Sequence, residues 1–326
     1  MLLSLAVALS AGIVAVPGFR HADLWPLKFR FLCILAGFII NGLFVKPILP
    51  LIDTETLKVL HDRFKSGIRY GRIRMFGSLG WVVGASLFGF ILSYTDCMSL
   101  SVVGYGVGFL VLALIASSGF REVITPVRIP WEHLKRDRMF LHFLGFVFFN
   151  SVGLLSAFTF TSFFMDDIHA SYLVIGISIG LAALPEIPIM FYSKWIIETV
   201  GNRWMIVAGI VLEVLKLALF VLIAYSGKTR WFIPVQMLHG MGYALQLTGE
   251  INLIDRRAHE DMRALYQSLF HVFIYLASAM GSLFASFVLR KLGSSWLMGI
   301  DGVILLLSAL YFLAVVRGHG PLSTSR

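Results

Sequence analysis

Ionisable side chains interrupt several of the long apolar stretches of this chain. They are Lys46, Asp53, Arg74, Glu186, Glu213, Lys216, His239 and Asp301. A charged group at the centre of a membrane helix costs about 2.5 to 3.5 kcal/mol, so such groups usually pair with one another or line a water-filled cavity. Because these residues occur in both halves of the chain, we expect them to form a shared polar cavity that binds a small solute.

Two acidic residues have neighbours that suggest a function. Glu213 and Lys216 are three residues apart, which places them on one helical face as either a structural ion pair or part of a functional charge network. Glu186 lies between Pro185 and Pro188, and the amide donors that prolines lack would loosen a helix and leave carbonyls for a solute. The Glu186 carboxylate is therefore a candidate proton carrier, unless Lys216 lies beside it and keeps it ionised.

Two further polar residues lie in helical stretches. His239 precedes Gly240, and a lone helical histidine either makes its hydrogen bonds inside a core or contacts a ligand. Asp301 fits a polar packing residue of the last helix. Residues 176–180 match the G-x-S-x-G pattern of serine hydrolases, but they lie in a continuous apolar run and not at a strand-to-helix turn. We therefore predict that the protein is not an enzyme, and we expect no metal or organic cofactor because the sequence has no motif for one.

The elements that must position these residues are membrane helices. Of the 326 residues, 58% are hydrophobic and 14% charged, and the mean hydropathy is +0.85, far more apolar than a water-soluble fold. Apolar runs of about 18 to 25 residues recur, and each can cross a bilayer as a helix. The predicted spans are 1–18, 31–53, 73–94, 98–118, 139–165, 171–193, 202–225, 231–254, 263–289 and 294–316. Since lipid offers backbone amides no partner, we predict an all-α integral membrane protein, a bundle of about ten helices.

The net charge of +9 comes from short basic segments between the apolar runs, which argues against a nucleic-acid partner and for a fixed orientation in the membrane. Three basic connections alternate correctly along the chain. They contain Lys58, Arg63, Lys65, Arg69 and Arg72, then Arg121, Arg128, Lys135, Arg136 and Arg138, then Arg256, Arg257 and Arg263. We predict that these three connections and both termini are cytoplasmic, although Arg20, Lys28 and Arg30 form a basic cluster on the opposite side.

The segment 120–138 is the longest polar stretch and contains Pro126 and Pro130. We predict that it is a cytoplasmic linker between an N-terminal bundle of four helices, residues 1–119, and a C-terminal bundle of six, residues 139–326. Two bundles that rock about a central site would give a solute access to each side of the membrane in turn.

The run 70–81, Tyr-Gly-Arg-Ile-Arg-Met-Phe-Gly-Ser-Leu-Gly-Trp, resembles the start of the fifth helix in lactose permease and related sugar and nucleoside proton symporters of the major facilitator superfamily. Before it, Pro50 to Asp53 resembles the Pro-x-x-acid end of the family's fourth helix. The resemblance implies that Asp53 and Arg74 form a sugar-binding charge pair and that Trp81 stacks on the sugar. A guanidinium and a carboxylate can bond hydroxyls, and an indole face can cover C–H groups. Alternatively, Asp53 and Arg74 only tie two helices together.

Single residues further along the chain also match the family. Leu238 and His239 resemble the Leu-His of the family's tenth helix, and Glu186 and Lys216 resemble its helix-eight acid and helix-nine base. Three residues after the histidine, where lactose permease has its proton-carrying glutamate, this chain has Gly242. Proton coupling would then use Glu186 or a different route.

The first predicted span resembles the family's third helix, so the resemblance implies a twelve-helix plan that lacks its first two helices. It also implies a secondary active transporter, a proton symporter of a small polar or amphipathic solute such as a sugar, a nucleoside or an aromatic acid. Asp53, Arg74, Trp81 and His239 would bind the substrate, and Glu186, Glu213 and Lys216 would form the charge network. We expect a monomer in the inner membrane. The alternative is a non-transporting membrane protein that binds its solute as a sensor or scaffold.

Overall fold

The computed structural model describes residues 26–64, 69–95, 99–119, 134, 137–258 and 262–316. These residues form twelve α-helices and a short 3-10 turn at Thr229–Trp231, and the described part of the chain contains no strand. The helices are α1 (Leu27–Val45), α2 (Ile48–Phe64), α3 (Tyr70–Thr95), α4 (Ser99–Gly119), α5 (Arg138–Asp167), α6 (Tyr172–Ala182), α7 (Glu186–Phe191), α8 (Ser193–Val200), α9 (Asn202–Ser226), α10 (Phe232–Arg257), α11 (Arg263–Leu292) and α12 (Ser294–Val315). The predicted all-α fold is confirmed.

Five segments of the described chain are long and apolar enough to cross a membrane. They are Arg138–Asp167, Val174–Phe191, Asn202–Ser226, Arg263–Leu292 and Ser294–Val315. Each coincides with a predicted span. The helix α10 has 26 residues and is long enough to cross a membrane, but it is more polar than these five segments. It carries buried polar side chains such as Gln236, Gln246 and Asn252. The predicted span 1–18 lies outside the described residues.

The predicted span 31–53 is not one helix. A turn at Pro47 separates α1 from α2, because proline has no amide hydrogen to donate and its ring disfavours a continuous helix. The helix α2 then continues to Phe64, so that Lys58 and Arg63 lie in a helix and not in the predicted loop. A hydropathy profile locates the part of a helix that lies in lipid. The helix itself can continue into water, because long charged side chains are good helix formers there.

The predicted span 171–193 consists of the three helices α6, α7 and α8. The first break is at Pro185, where the amide of Glu186 donates to the carbonyl of Ala183 at 3.2 Å. This bond reaches back three residues, as in a 3-10 turn. A second break lies at Tyr192. The helix is thus interrupted at Pro185, and Glu186 begins α7, which contains Pro188.

The chain divides into two compact units. The first comprises Met1–Glu55 and Ser86–Arg128, and the second comprises Thr56–Ala85 and Ile129–Arg326. Within the first unit, the Tyr105 hydroxyl of α4 donates to Asn41 Oδ1 of α1 at 3.1 Å. Little of the predicted linker is described, only residues 134, 137 and 138. The predicted division into bundles at 1–119 and 139–326 remains a prediction.

Aromatic rings form much of the core of the second unit. Phe140 of α5 stacks on Tyr266 of α11 with ring centroids 3.8 Å apart, and Phe146 of α5 packs against Phe312 of α12 at 4.5 Å. Because lipid tails are as apolar as these rings, tight packing and not removal from water favours the arrangement. The contacts hold α5 against both α11 and α12.

Asp137 joins three helix ends of the second unit. Its side chain caps α5 by accepting from the Phe140 amide at 3.1 Å, and it also accepts from Arg257 Nε at 2.9 Å and from the Tyr266 hydroxyl at 2.9 Å. Burial alone would raise the pKa of Asp137, but the hydrogen bonds from Arg257, Phe140 and Tyr266 outweigh it and hold the pKa below its ordinary value. The ionised cap therefore ties the starts of α5 and α11 to the end of α10.

Single glycines connect two pairs of helices in the second unit. Gly201 joins α8 to α9 with φ 84° and ψ 154°, and Gly293 joins α11 to α12 with φ 93° and ψ 173°. These backbone angles are essentially restricted to glycine. A side chain at either position would strain a joint that is only one residue long.

Candidate solute-binding and charge-coupling site

The motif at the start of α3 packs on the break between α7 and α8. At Gly71, an added Cβ would overlap with the Ser193 hydroxyl and lie 2.6 Å from the carbonyl oxygen of Met190, so only glycine fits this crossing. Next to it, Arg72 Nε donates to the carbonyl of Phe191 at 3.4 Å, and the guanidinium lies 4.9 Å from the centroid of that ring. These contacts fix α3 against the broken helix.

Ser78, two turns further along α3, contacts the residue that begins α7. Its hydroxyl donates a hydrogen bond to Glu186 Oε2 and lies 3.7 Å from the sulfur of Met190. Both Ser78 and Glu186 are buried, and a buried carboxylate requires such donors because an unpaired charge is strongly unfavourable away from water. Sequence reasoning missed Ser78, although it lies inside the motif, because a neutral serine looks like its packing neighbours.

Arg74 lies within electrostatic range of the same carboxylate. Its guanidinium covers Gly77, where an added Cβ would overlap with a terminal nitrogen of the arginine. Among the described residues, His239, Arg74 and Glu213 lie within electrostatic range of Glu186. The structure therefore brings predicted site residues from α3, α7, α9 and α10 together within the second unit.

Glu213 contacts two basic side chains at once. Its Oε2 lies 2.8 Å from Lys216 Nζ, and its Oε1 lies 2.7 Å from His239 Nδ1. The side chains of Glu213 and Lys216 are 0% exposed, and the lysine makes an ion pair without a well-directed hydrogen bond. The predicted contact of Glu213 with Lys216 is confirmed. The contact with His239, 26 residues away, cannot be read from local spacing.

Glycines let these helices approach closely enough for the contacts. An added Cβ at Gly209 of α9 would lie 2.6 Å from the Gly242 carbonyl oxygen, and one at Gly242 would lie 2.8 Å from that of Gly209 and 3.1 Å from Glu213 Oε1. At Gly240, an added Cβ would overlap with the carbonyl oxygen of Ala182 at the end of α6. The carboxylate of Glu213 thus lies beside residue 242, where the family resemblance leads one to expect an acid.

Two aromatic rings contact His239. Phe158 of α5 stacks on the imidazole with ring centroids 5.0 Å apart, and Tyr243 lies one turn along α10 at 6.1 Å. Phe158 is exposed, whereas His239 is buried. The imidazole is therefore in contact with two rings, and its Nδ1 is directed at Glu213.

The two other predicted binding residues lie in different units. Asp53 is buried in α2 within the first unit, and Trp81 is 54% exposed on α3 within the second. The charge pair of Asp53 with Arg74, and the stacking of Trp81 on a sugar, remain predictions.

The serine of the G-x-S-x-G match forms a hydrogen bond with the backbone of its own helix. Ser178 is buried within α6, and its hydroxyl donates to the carbonyl of Val174 at 2.6 Å, a common arrangement for helical serines. In the part of the chain that the structure describes, no three His, Cys, Asp or Glu side chains are grouped so that they could hold a metal ion.

Comparison with known proteins gives the relatives of the chain. The MFS_1 like family matches residues 1–298. The chain is similar to the uncharacterized transporter YwbF of Bacillus subtilis (strain 168), with 27% identity over 260 residues, 77% of this chain and 61% of YwbF. The match thus spans less than two thirds of that relative. The chain is also similar to the probable 3-phenylpropionic acid transporter of Escherichia coli (strain K12), with 23% identity over 282 residues, 82% of this chain and 70% of that protein.

A solved structure with the same fold is that of a mutant of the nucleoside transporter NupG. It matches with a TM-score of 0.68 and 17% identity, over 97% of this chain and 84% of the NupG chain. The family and these neighbours are transporters and not enzymes, which confirms the prediction that the chain is not an enzyme. With five segments that can cross a membrane and a family match over residues 1–298, the chain is an integral membrane protein that belongs to the MFS_1 like family of the major facilitator superfamily.

Proposed function

We propose that the protein is a secondary active transporter that couples the movement of a small polar or amphipathic solute to a proton gradient by alternating access. The observation that carries this proposal is a connected set of charged side chains inside a membrane fold. The set comprises Arg74, Glu186, Glu213, Lys216 and His239. Each charge at membrane depth costs about 2.5 to 3.5 kcal/mol, so a set of this size is best explained by a solute or an ion that it serves.

A solute with polar and aromatic parts fits the surroundings of His239. The guanidinium of Arg74 can bond a carboxylate or hydroxyls, and the exposed ring of Phe158 offers a stacking face beside the imidazole. The names of two similar proteins, a probable 3-phenylpropionic acid transporter and a nucleoside transporter, support solutes of this kind. Aromatic acids and nucleosides are therefore the first candidates, and sugars the next.

The carboxylates near His239 support a role in proton coupling. Glu213 contacts both Lys216 and His239, so protonation of the imidazole changes the charge balance around the carboxylate that the two basic groups share. Glu186, which accepts from Ser78, is a second carboxylate within electrostatic range of the same histidine. Proton binding and solute binding at adjacent groups can favour each other, and this mutual coupling is what a symporter requires.

We also propose that the protein is a monomer in the inner membrane with both termini in the cytoplasm. The positive-inside rule supports this orientation. Lys58 and Arg63 lie in the C-terminal part of α2, and Arg256 and Arg257 end α10, in connections that alternate correctly along the chain.

Uptake into proteoliposomes tests the proposal. Radiolabelled 3-phenylpropionate, uridine and lactose are the probes, and the outer solution is made acidic. Arg74→Ala should lower uptake of the transported probe roughly tenfold or more, since a hydrogen bond to a charged group contributes about 1.5 to 3 kcal/mol. A protonophore should abolish accumulation. Arg290→Ala removes an exposed arginine at the end of α11 and should leave uptake unchanged.

Each part of the proposal has its own contrary result. If Arg74→Ala leaves uptake unchanged, Arg74 does not belong to the binding site. If the solute still accumulates in the presence of the protonophore, transport is not coupled to protons. Binding of a probe without flux would favour the alternative, a membrane protein that senses its solute.

A further inference from the structure

Asp301 is a buried carboxylate that the proposed solute site does not use. It lies in α12, which packs against α5, α9 and α11, and its side chain is 0% exposed. Its Oδ2 accepts from the Ser156 hydroxyl of α5 at 2.8 Å. Its Oδ1 is buried and has no hydrogen-bond partner in the described part of the chain. Since a buried carboxylate oxygen without a partner is unfavourable, this atom offers a place for a proton or a cation.

The cation within range of Asp301 is Lys216. An added Cβ at Gly302, beside Asp301, would lie 3.8 Å from the side chain of Leu217, beside Lys216, so the two residues lie at the same level of the α9–α12 contact. Among the residues that the structure describes, Lys216 is the charged group that acts electrostatically on Asp301. Its Nζ is paired with Glu213 at 2.8 Å but makes no well-directed hydrogen bond. An ammonium has three N–H donors, so one group can bond Glu213 and still serve a second buried carboxylate.

Glu213, Asp301, Lys216 and His239 form a buried cluster whose charges do not sum to zero when both carboxylates are ionised and the histidine is neutral. Glu213 and Asp301 contribute two negative charges when both are ionised, and Lys216 contributes one positive charge. With a neutral His239 the sum is −1, and one additional proton makes the cluster neutral. Burying a net charge costs far more than burying a neutral group. One bound proton would therefore lower the cost of burying these groups.

We propose that Asp301 and Glu213 share Lys216, and that the cluster they form with His239 binds the coupling proton of the transport cycle. This inference rests on the proposed transport function. Among the described residues, Glu186 lies within electrostatic range of His239 and Glu213, and Arg74 lies within range of Glu186, so these two add one charge of each sign.

The proton alternates between two positions that keep the cluster neutral. In the arrangement seen here, Lys216 pairs with Glu213. The proton is then on Asp301 Oδ1, while Ser156 donates to the other oxygen. In the second arrangement, the Lys216 side chain turns to Asp301 as the O–H bond of Asp301 breaks. One N–H bond forms at Nε2 of His239, whose Nδ1 already contacts Glu213. The imidazole then carries the positive charge, and the charges of the cluster still sum to zero.

Transport measurements on reconstituted Asp301→Asn test this inference. Counterflow of labelled uridine or 3-phenylpropionate, whichever the wild type exchanges, requires no gradient, whereas accumulation under an imposed gradient of one pH unit requires coupling. One coupled proton then supports about tenfold accumulation. Asp301→Asn should retain counterflow and lose the accumulation. Glu250→Gln makes the same kind of change at a buried carboxylate of α10, on which no charge of the described residues acts, and should retain both.

A second measurement does not depend on a solute. Infrared spectroscopy of the reconstituted protein detects a protonated carboxyl group by its carbonyl stretch. Asp301→Asn should remove one such band, and Glu250→Gln should leave that band in place. Ser156→Ala keeps Asp301 but deletes the hydrogen bond to Oδ2, so it should shift the same band, and it provides the test if Asp301→Asn does not fold.

The results separate the two proposals. Tenfold accumulation by Asp301→Asn, or a carboxyl band that neither Asp301→Asn nor Ser156→Ala changes, would overturn the assignment of the proton site. If the wild type exchanges none of the probes, the transport proposal fails, while the band still tests whether Asp301 holds a proton.

Discussion

Replacing Lys216 with methionine should destabilise the protein, because it leaves Glu213 charged, buried and with half of its partners. Removing one member of a buried ion pair typically costs about 3 to 5 kcal/mol. Glu213 retains His239 at 2.7 Å, so we expect the lower end of this range. A loss of about 3 kcal/mol corresponds to roughly a hundredfold change in the ratio of folded to unfolded protein. The methionine side chain preserves most of the packing of the lysine stem, so that charge is the main variable.

A double mutant distinguishes this reasoning from a simple packing defect. Glu213→Gln combined with Lys216→Met removes both charges, and replacing a buried pair with uncharged residues is often neutral or stabilising. The double mutant should therefore recover most of the stability that Lys216→Met loses. The measurement is the free energy of unfolding in detergent micelles, from denaturant titrations followed by tryptophan fluorescence.

The exposed pair of Lys194 and Glu198 is the matched control. Its Nζ–Oε1 distance is 3.7 Å, and the residues are spaced four apart on α8. Such surface pairs contribute about 0.3 to 0.5 kcal/mol, so Lys194→Met should have little effect. A Lys216→Met protein as stable as wild type, or a double mutant as unstable as the single one, would refute the claim that Glu213 depends on Lys216.

Three further changes test other parts of the structure. Gly240→Ala places a carbon against a carbonyl of α6 and should cost about 1 to 3 kcal/mol in denaturant titrations, whereas Gly180→Ala, whose Cβ meets no described atom, should be tolerated. Gly293→Ala puts alanine into a glycine-only backbone conformation and should cost about 1 to 3 kcal/mol. The matched change Gly299→Ala, in open space within α12, should be neutral or stabilising, and equal effects of the two would contradict the strained joint. Asp137→Asn should lower the thermal stability at neutral pH. Because the pKa of Asp137 is lower in the folded than in the unfolded protein, its contribution is present above the unfolded pKa and is lost as the pH falls through the folded pKa. A stability difference from wild type that grows in acid would contradict this.

The parts of the site that are local in sequence could be predicted, and the parts that depend on helix crossings could not. The contact of Glu213 with Lys216 follows from three residues of spacing on one helix. The contact of Glu213 with His239 depends on how closely α9 meets α10, and that distance is set by Gly209 and Gly242. The sequence alone therefore places His239 on a helix but does not show that it contacts Glu213.

The partners of Asp301 could not be predicted from the sequence either. The sequence indicates only a polar packing residue, since no charged neighbour lies on its own helix at a suitable spacing. Ser156 and Lys216 reach it from two other helices. Hydropathy likewise locates the membrane segments but gives no sign that α2 continues to Phe64 beyond the apolar run.

The bare backbone contact between Gly209 and Gly242 also restricts how this sequence can evolve. An acid cannot appear at residue 242 while α9 remains in place, since even its first carbon would lie 2.8 Å from the Gly209 carbonyl oxygen. Moving the acid from α9 to α10 would require intermediates whose helices no longer fit together. A lineage with its carboxylate at Glu213 is therefore committed to that position, and a genetic screen for suppressors of a Glu213 mutation should return changes on other helices and not at residue 242.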